Sequence, residues 1–156
     1  MTVEIRPCVL RGTVCAPPSK SIAHRMLLSA ALAEGTSVLH GISDSEDIRA
    51  SLACARSLDA EISQNGDTAV IRGGKSCGMA PIFPCGESGS TLRFFLPAAL
   101  TRYSRAMFMG SGRLFERGIS VYESALGERV SGLSKVPNPL RRKENCFPVH
   151  THCGGT

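Results

Sequence analysis

Pro17-Pro18-Ser19-Lys20-Ser21-Ile22-Ala23-His24-Arg25 is the stretch from which the chain is best read. Two prolines restrain the backbone and disfavour helix ahead of Ser19. A serine there can offer its side-chain oxygen to the first free amides of a helix. From Ser21 to Glu34 apolar residues recur at helical spacing. Ile22, Met26, Ala30 and Ala33 are expected on the buried face, with Leu27 beside it. Gly35 supplies a stop. Helix starts carry amides without internal partners and a field that favours anions. Lys20, Ser21 and Arg25 around such a start therefore predict an anion seat. His24 is expected on the helix surface beside it.

Downstream, Thr36–His40 reads as a strand. Asp44 or Ser45 can cap a second helix through about Leu58, its face built on Ile48, Leu52 and Ala55, with Cys54 in the core. Ala60–Ser63 and Thr68–Arg72 flank Asn65-Gly66-Asp67, a strong hairpin signal. Upstream, residues 2–11 read as a short strand. The pattern then restarts, with a helix over Ser90–Thr101, a strand over Arg105–Met109 and a helix over Ile119–Leu126. Ser90 follows Ser21 by 69 residues, as Met107 follows Val38. That offset lays helix on helix and strand on strand, which supports a weak internal duplication of a roughly 70-residue α/β unit.

The second helix start is announced by Cys85-Gly86-Glu87-Ser88-Gly89-Ser90-Thr91-Leu92-Arg93. Gly86 and Gly89 let backbone approach a ligand without a Cβ in the way. Ser88, Ser90 and Thr91 offer hydroxyls, and Arg93 adds charge. Glu87 would repel an anion, and suits a substrate hydroxyl or a lysine instead. Gly112-Arg113-Leu114-Phe115-Glu116-Arg117 is a third polar loop, able to form a guanidinium clamp or a surface ion-pair network. Neither a nucleotide P-loop nor a strand-linked GxGxxG occurs. The paired seats point to a substrate carrying phosphate or carboxylate.

Charge supports a small anionic ligand over nucleic acid. Residues 1–126 hold 13 basic against 11 acidic side chains, whereas residues 127–156 hold 5 against 2. The body is nearly balanced, so no specific nucleic-acid partner is expected. Seven cysteines, an odd number without regular spacing, suggest reduced thiols rather than a disulfide framework. No leader-like segment or membrane-length apolar run is present in the sequence, so a cytoplasmic protein with no membrane partner is expected. Cys146, His150, His152 and Cys153 are cramped for zinc, and neither metal nor cofactor is expected. Residues 127–156, with Val136-Pro137-Asn138-Pro139, differ in character from what precedes them. They are expected to be a disordered tail or the product of a shifted reading frame.

The three loops together resemble the 5-enolpyruvylshikimate-3-phosphate synthase family, over about residues 2–126. The resemblance implies a partial enolpyruvyl-transferase domain in residues 17–126, an α/β fold of repeated units with helices packed on mixed sheets. Residues 1–16 are then a strand segment of a second domain. It further implies transfer of the enolpyruvyl group of phosphoenolpyruvate to the 5-hydroxyl of shikimate 3-phosphate, with release of phosphate. Lys20 would lie where both substrates meet, positioning them and stabilising charge. Ser21 and Arg25 would bind shikimate 3-phosphate; Glu87, Gly89 and Ser90 would border phosphoenolpyruvate, and Arg117 would clamp it. Here Gly118 stands where the family usually has proline. A serine-serine-glutamine segment and the acid/base residues of the second domain are missing, so the chain by itself is expected to turn over weakly or not at all. Full-length relatives are expected to be monomers, and this chain to be free to self-associate. Two other readings stay open: a noncatalytic phosphate-binding or interaction fragment, and a relative of UDP-N-acetylglucosamine enolpyruvyl transferase.

Overall fold

The computed structural model describes residues 3, 4, 7, 9, 11–74, 80–114, 116, 120–126, 130, 131, 136, 137 and 145–151. Its first helix, α1 (Lys20–Leu32), starts where Ser19 Oγ accepts the Ile22 N–H at 3.4 Å. Beyond it, Gly35 takes a φ of 87°, which suits glycine. Strand β1 (Thr36–Leu39) leads to α2 (Glu46–Arg56), capped by Ser45. Glu46 and Asp47 in the first turn and Arg56 in the last match the helix field. The hairpin forms as expected, β2 (Glu61–Asn65) and β3 (Thr68–Arg72) pairing around Gly66, whose φ is 57°. β3 is the centre of a three-stranded antiparallel sheet, order β1-β3-β2.

A strand not expected from the sequence follows, β4 (Ile82–Gly86). Pro84 disguised it, because proline cannot donate to a sheet ladder. The order of the second sheet, β4-β5-β8-β6, explains why it is tolerated: β4 lies at the edge. Next come α3 (Gly89–Arg102), β5 (Arg105–Gly110) and α4 (Ser120–Leu126). β4 and β5 pair in parallel, so β4-α3-β5 is a crossover unit. Strands β6 (Val130–Ser131), β7 (Val136–Pro137) and β8 (Asn145–Thr151) complete the second sheet, with β8 antiparallel to β5. The expectation for residues 127–156 falls largely outside the described residues. Among residues 3, 4, 7, 9 and 11–19, none is in helix or strand.

The duplication extends to the helix caps. Ser19 and Ser88 cap α1 and α3 at the same 69-residue offset, and β1 and β5 begin at Thr36 and Arg105. One part is missing from the first unit. The residues at the offset of β4, 13–17, form no strand, and β1 is left as a sheet edge.

The three long helices pack against both sheets around Leu27, Ile48, Leu58, Ile71, Leu96 and a phenylalanine cluster. Phe83 stacks on Phe108 with centroids 4.7 Å apart, and Phe95 meets Phe83 at 6.4 Å. The face of α2 is as expected, and Cys54 is buried with its Sγ 3.9 Å from Cys85 Sγ. The face of α1 is not. Ile22 and Met26 are 61% and 47% exposed, and the buried side is Ala23, His24, Leu27, Ala30 and Ala31. The small alanines let α1 come close to its neighbours, whereas the bulkier Ile22 and Met26 border a groove beside Val38 and Gly41.

Pro97 lies inside α3 and has no N–H to give the carbonyl four residues back. That carbonyl is Arg93 O, and it accepts the Tyr122 hydroxyl at 2.6 Å. The bond ties α4 to the helix of the second seat and meets the need that Pro97 creates. Burial pushes the Tyr122 hydroxyl above its ordinary range.

Candidate active site

At the first seat, Lys20 and Ser21 are exposed in the opening turn of α1. Lys20 Nζ meets Asp47 Oδ2 at 3.2 Å, in a pair that leaves both side chains open to solvent. Arg25, one turn on, donates Nη1–H to Ser21 O at 3.0 Å. Its guanidinium lies 5.0 Å over the Phe94 ring. Phe94 belongs to α3, so this contact brings an arginine of the first motif onto the helix of the second.

At the second seat, Ser88 Oγ accepts the Thr91 N–H at 3.3 Å. Gly89 and Ser90 occupy the turn before the first helical acceptor, where amides remain available to an anion. Ser90 is exposed, but Ser88 and Thr91 are buried, so those two hydroxyls do not face an incoming ligand as expected. They face the protein because the cap and its bonded partner turn under the helix.

Glu87 joins the second seat to the third loop. Its Oε1 accepts the Arg113 N–H at 3.1 Å, and Ser111 N–H donates to Gly86 O at 2.8 Å. Gly112 lies against that carboxylate. A Cβ there would sit 2.6 Å from Glu87 Cδ, and the φ of 57° already favours glycine. Arg113 Nε pairs with Glu116 Oε2 at 3.1 Å, and Leu114 is buried beneath the loop. Arg117 lies outside the described residues.

His24 is the clearest correction to the surface reading. It is 2% exposed, with its Nδ1 2.6 Å from Ser51 Oγ. Ser51 Oγ lies 2.8 Å from Thr91 Oγ1, and Thr91 Oγ1 2.8 Å from Ser88 Oγ. Thr91 also reaches Asp47 O at 3.3 Å. A buried polar chain thus runs from α1 through α2 to the cap of α3. Burial lowers the His24 pKa from its ordinary value, aided by Lys20 and Arg25 and opposed by Asp47. Ser51 had a legible signal: it is the one hydroxyl within the apolar stripe Ile48, Leu52 and Ala55. His24 turns inward because the buried side of α1 is rotated toward Ala23 and Leu27.

Pro18, Ser19, Ile22 and Ala23 of the first motif line a groove of about 390 Å³, whereas Lys20, Ser21 and Arg25 are not among the residues that line it. A cavity of about 800 Å³ lies at the far end of α1, between Glu34, Asp59, Glu61, Arg72 and Arg102. Of the motif side chains, Lys20, Ser21, Arg25 and Ser90 are exposed. Among the described residues no helix is long and apolar enough to cross a membrane. No group of three or more histidine, cysteine or acidic side chains there could hold a metal.

Fold and contacts together define a duplicated α/β unit whose two helix starts are joined by a buried polar chain and by Arg25 over Phe94. Comparison with known proteins gives this class its family. The model of the family EPSP synthase (3-phosphoshikimate 1-carboxyvinyltransferase) matches residues 6–129, and the chain belongs to that family. Relatives named 3-phosphoshikimate 1-carboxyvinyltransferase include one from Clostridium perfringens, 40% identical over 129 residues and 81% of this chain. One from Clostridium kluyveri is 40% identical over 121 residues. The chain spans 30% and 28% of their respective lengths. EPSP synthase from Acinetobacter baumannii shares the fold, with a TM-score of 0.67 and 24% identity over 89% of this chain and 32% of that one.

Proposed function

We propose that this chain forms one wall of a site that transfers the enolpyruvyl group of phosphoenolpyruvate to the 5-hydroxyl of shikimate 3-phosphate. The observation that carries the reading is the convergence of the two helix starts. Arg25 over Phe94 and the buried chain from His24 to Ser88 hold both in one frame. Two phosphate-bearing anions suit two such seats. Ser21 and Arg25 would take the phosphate of the shikimate, and the Gly89 and Ser90 amides would border phosphoenolpyruvate. Arg117 would clamp that second anion. Lys20, at the junction, would give up Asp47 for substrate at little loss, because an exposed ion pair contributes only about 0–1 kcal/mol.

In the reaction the enol carbon gains a proton, the hydroxyl oxygen attacks the adjacent carbon, and phosphate then leaves with a proton lost from the methyl group. The residues of this chain would orient the reactants and stabilise developing negative charge. The proton-transfer groups would come from the part of the relatives' length that this chain does not span. An open wall does not exclude water, so the 156-residue chain should bind substrate with weak or undetectable turnover. The family match favours this substrate pair over UDP-N-acetylglucosamine as acceptor.

Calorimetric titration with shikimate 3-phosphate, then with phosphoenolpyruvate in its presence, tests the reading. Binding of the first and enhanced binding of the second are expected. Failure of both to bind would leave a noncatalytic role, and clear turnover by the purified chain would overturn the one-wall reading.

A further inference from the structure

The protons along the buried chain can be placed by elimination. The Asp47 carbonyl can only accept, and Thr91 Oγ1 lies 3.3 Å from it and 2.8 Å from Ser88 Oγ. The single hydroxyl proton of Thr91 is directed to that side. Thr91 Oγ1 must then accept from Ser51, 2.8 Å away. Ser51 has no second proton to offer, so it accepts from His24 Nδ1–H at 2.6 Å. One donor serves each link, and the neutral imidazole carries its proton on Nδ1.

We infer that His24, Ser51 and Thr91 are positioning residues, holding the first turn of α3 at one spacing from Lys20 and Ser21, with His24 in the Nδ1–H tautomer. The inference rests on the proposed reading of those exposed residues as substrate-binding. Each member comes from a different helix: His24 from α1, Ser51 from α2 and Thr91 from α3. All three are buried, so sliding one helix against another would strand a polar group away from water. The chain also alternates with the exposed motif residues. Inward His24 adjoins outward Arg25, and inward Thr91 adjoins outward Ser90. Arg25 over Phe94 closes the same joint from outside. A register shift between the seats would therefore break contacts on both sides of α1.

The test is a histidine-¹⁵N-labelled sample of the full 156-residue chain at pH 7.5, with long-range proton–nitrogen spectra reporting the tautomer of His24. Wild type should show a protonated Nδ1 and an unprotonated Nε2. Thr91→Val removes the acceptor of the Ser51 proton, which then turns to His24 Nδ1 and moves the histidine proton to Nε2. Thr91→Ser keeps the acceptor and should restore the Nδ1–H form. In the same samples, Thr91→Val should weaken shikimate 3-phosphate binding by about tenfold, and Thr91→Ser by no more than about twofold. An Nε2–H histidine in wild type overturns the inference without any variant. So does a tautomer that ignores Thr91→Val in a folded protein. If wild type binds no shikimate 3-phosphate, the substrate reading fails, while the tautomer still decides the chain of bonds.

Discussion

The two seats start from the same device, a serine cap 69 residues apart in the duplicated unit, and put it to different use. At the first, Ser19 is exposed, β1 lies at a sheet edge among the described residues, and Lys20 and Arg25 flank the helix start. At the second, Ser88 is buried, the helix start sits between paired β4 and β5, and Glu87 ties it to the next loop. The first helix start carries exposed charged side chains, and the second is tied by Glu87 to the following loop. Repetition of a fold unit thus did not repeat its chemistry. What surrounds each helix start decides whether it contributes charge or geometry.

The comparison can be broken most severely from below. Phe108→Ala removes the ring stacked on Phe83 under the second seat and should destabilise the protein by about 3–5 kcal/mol, read by denaturant unfolding. Lys20→Ala tests the opposite seat. It should weaken shikimate 3-phosphate binding by about 10- to 100-fold through a lost charge-assisted bond. Its melting temperature should barely move, since the Lys20–Asp47 pair is exposed. A large stability loss would show that Lys20 is structural.

The caps themselves give the direct contrast. Ser88→Ala should cost about 2 kcal/mol and Ser19→Ala about 0.5 kcal/mol, because only Ser88 is buried and also bonded by a neighbouring hydroxyl. Equal losses in thermal unfolding would remove the claimed difference.

The smallest effect concerns pH. His24 has a folded pKa below its ordinary value, so the unfolded chain takes up this proton first as pH falls. Its contribution is complete above the unfolded value of about 6.5 and is lost as pH drops through the folded one. Lys20 and Arg25 on α1 reinforce the lowering, and Asp47 on α2 opposes it. Between pH 7.5 and 5, wild type should lose more melting temperature than His24→Asn, whose amide does not titrate. Parallel profiles would exclude His24 as the source.

Much of this was legible locally. The helices, the hairpin at Gly66 and both serine caps follow from short-range chemistry: proline before, glycine after, hydroxyl at the start. Strand β4 was hidden because proline cannot donate to a ladder, and the edge position and register shift that accommodate Pro84 are properties of the assembled sheet. The buried face of α1 was misplaced because spacing names a stripe of residues but not the neighbour it meets. His24 likewise reads as a surface residue until Ser51 and Thr91 lie beside it, 27 and 40 residues along the chain in successive steps.

By itself the sequence determined two anion-ready helix starts, their duplication and the residues around them, because caps and turns depend on a few adjacent side chains. Only the tertiary structure decided which hydroxyls are exposed and which face inward, and how the two starts are joined. Those properties depend on helices from distant parts of the chain meeting in one core, where a buried polar group must find a partner or be excluded.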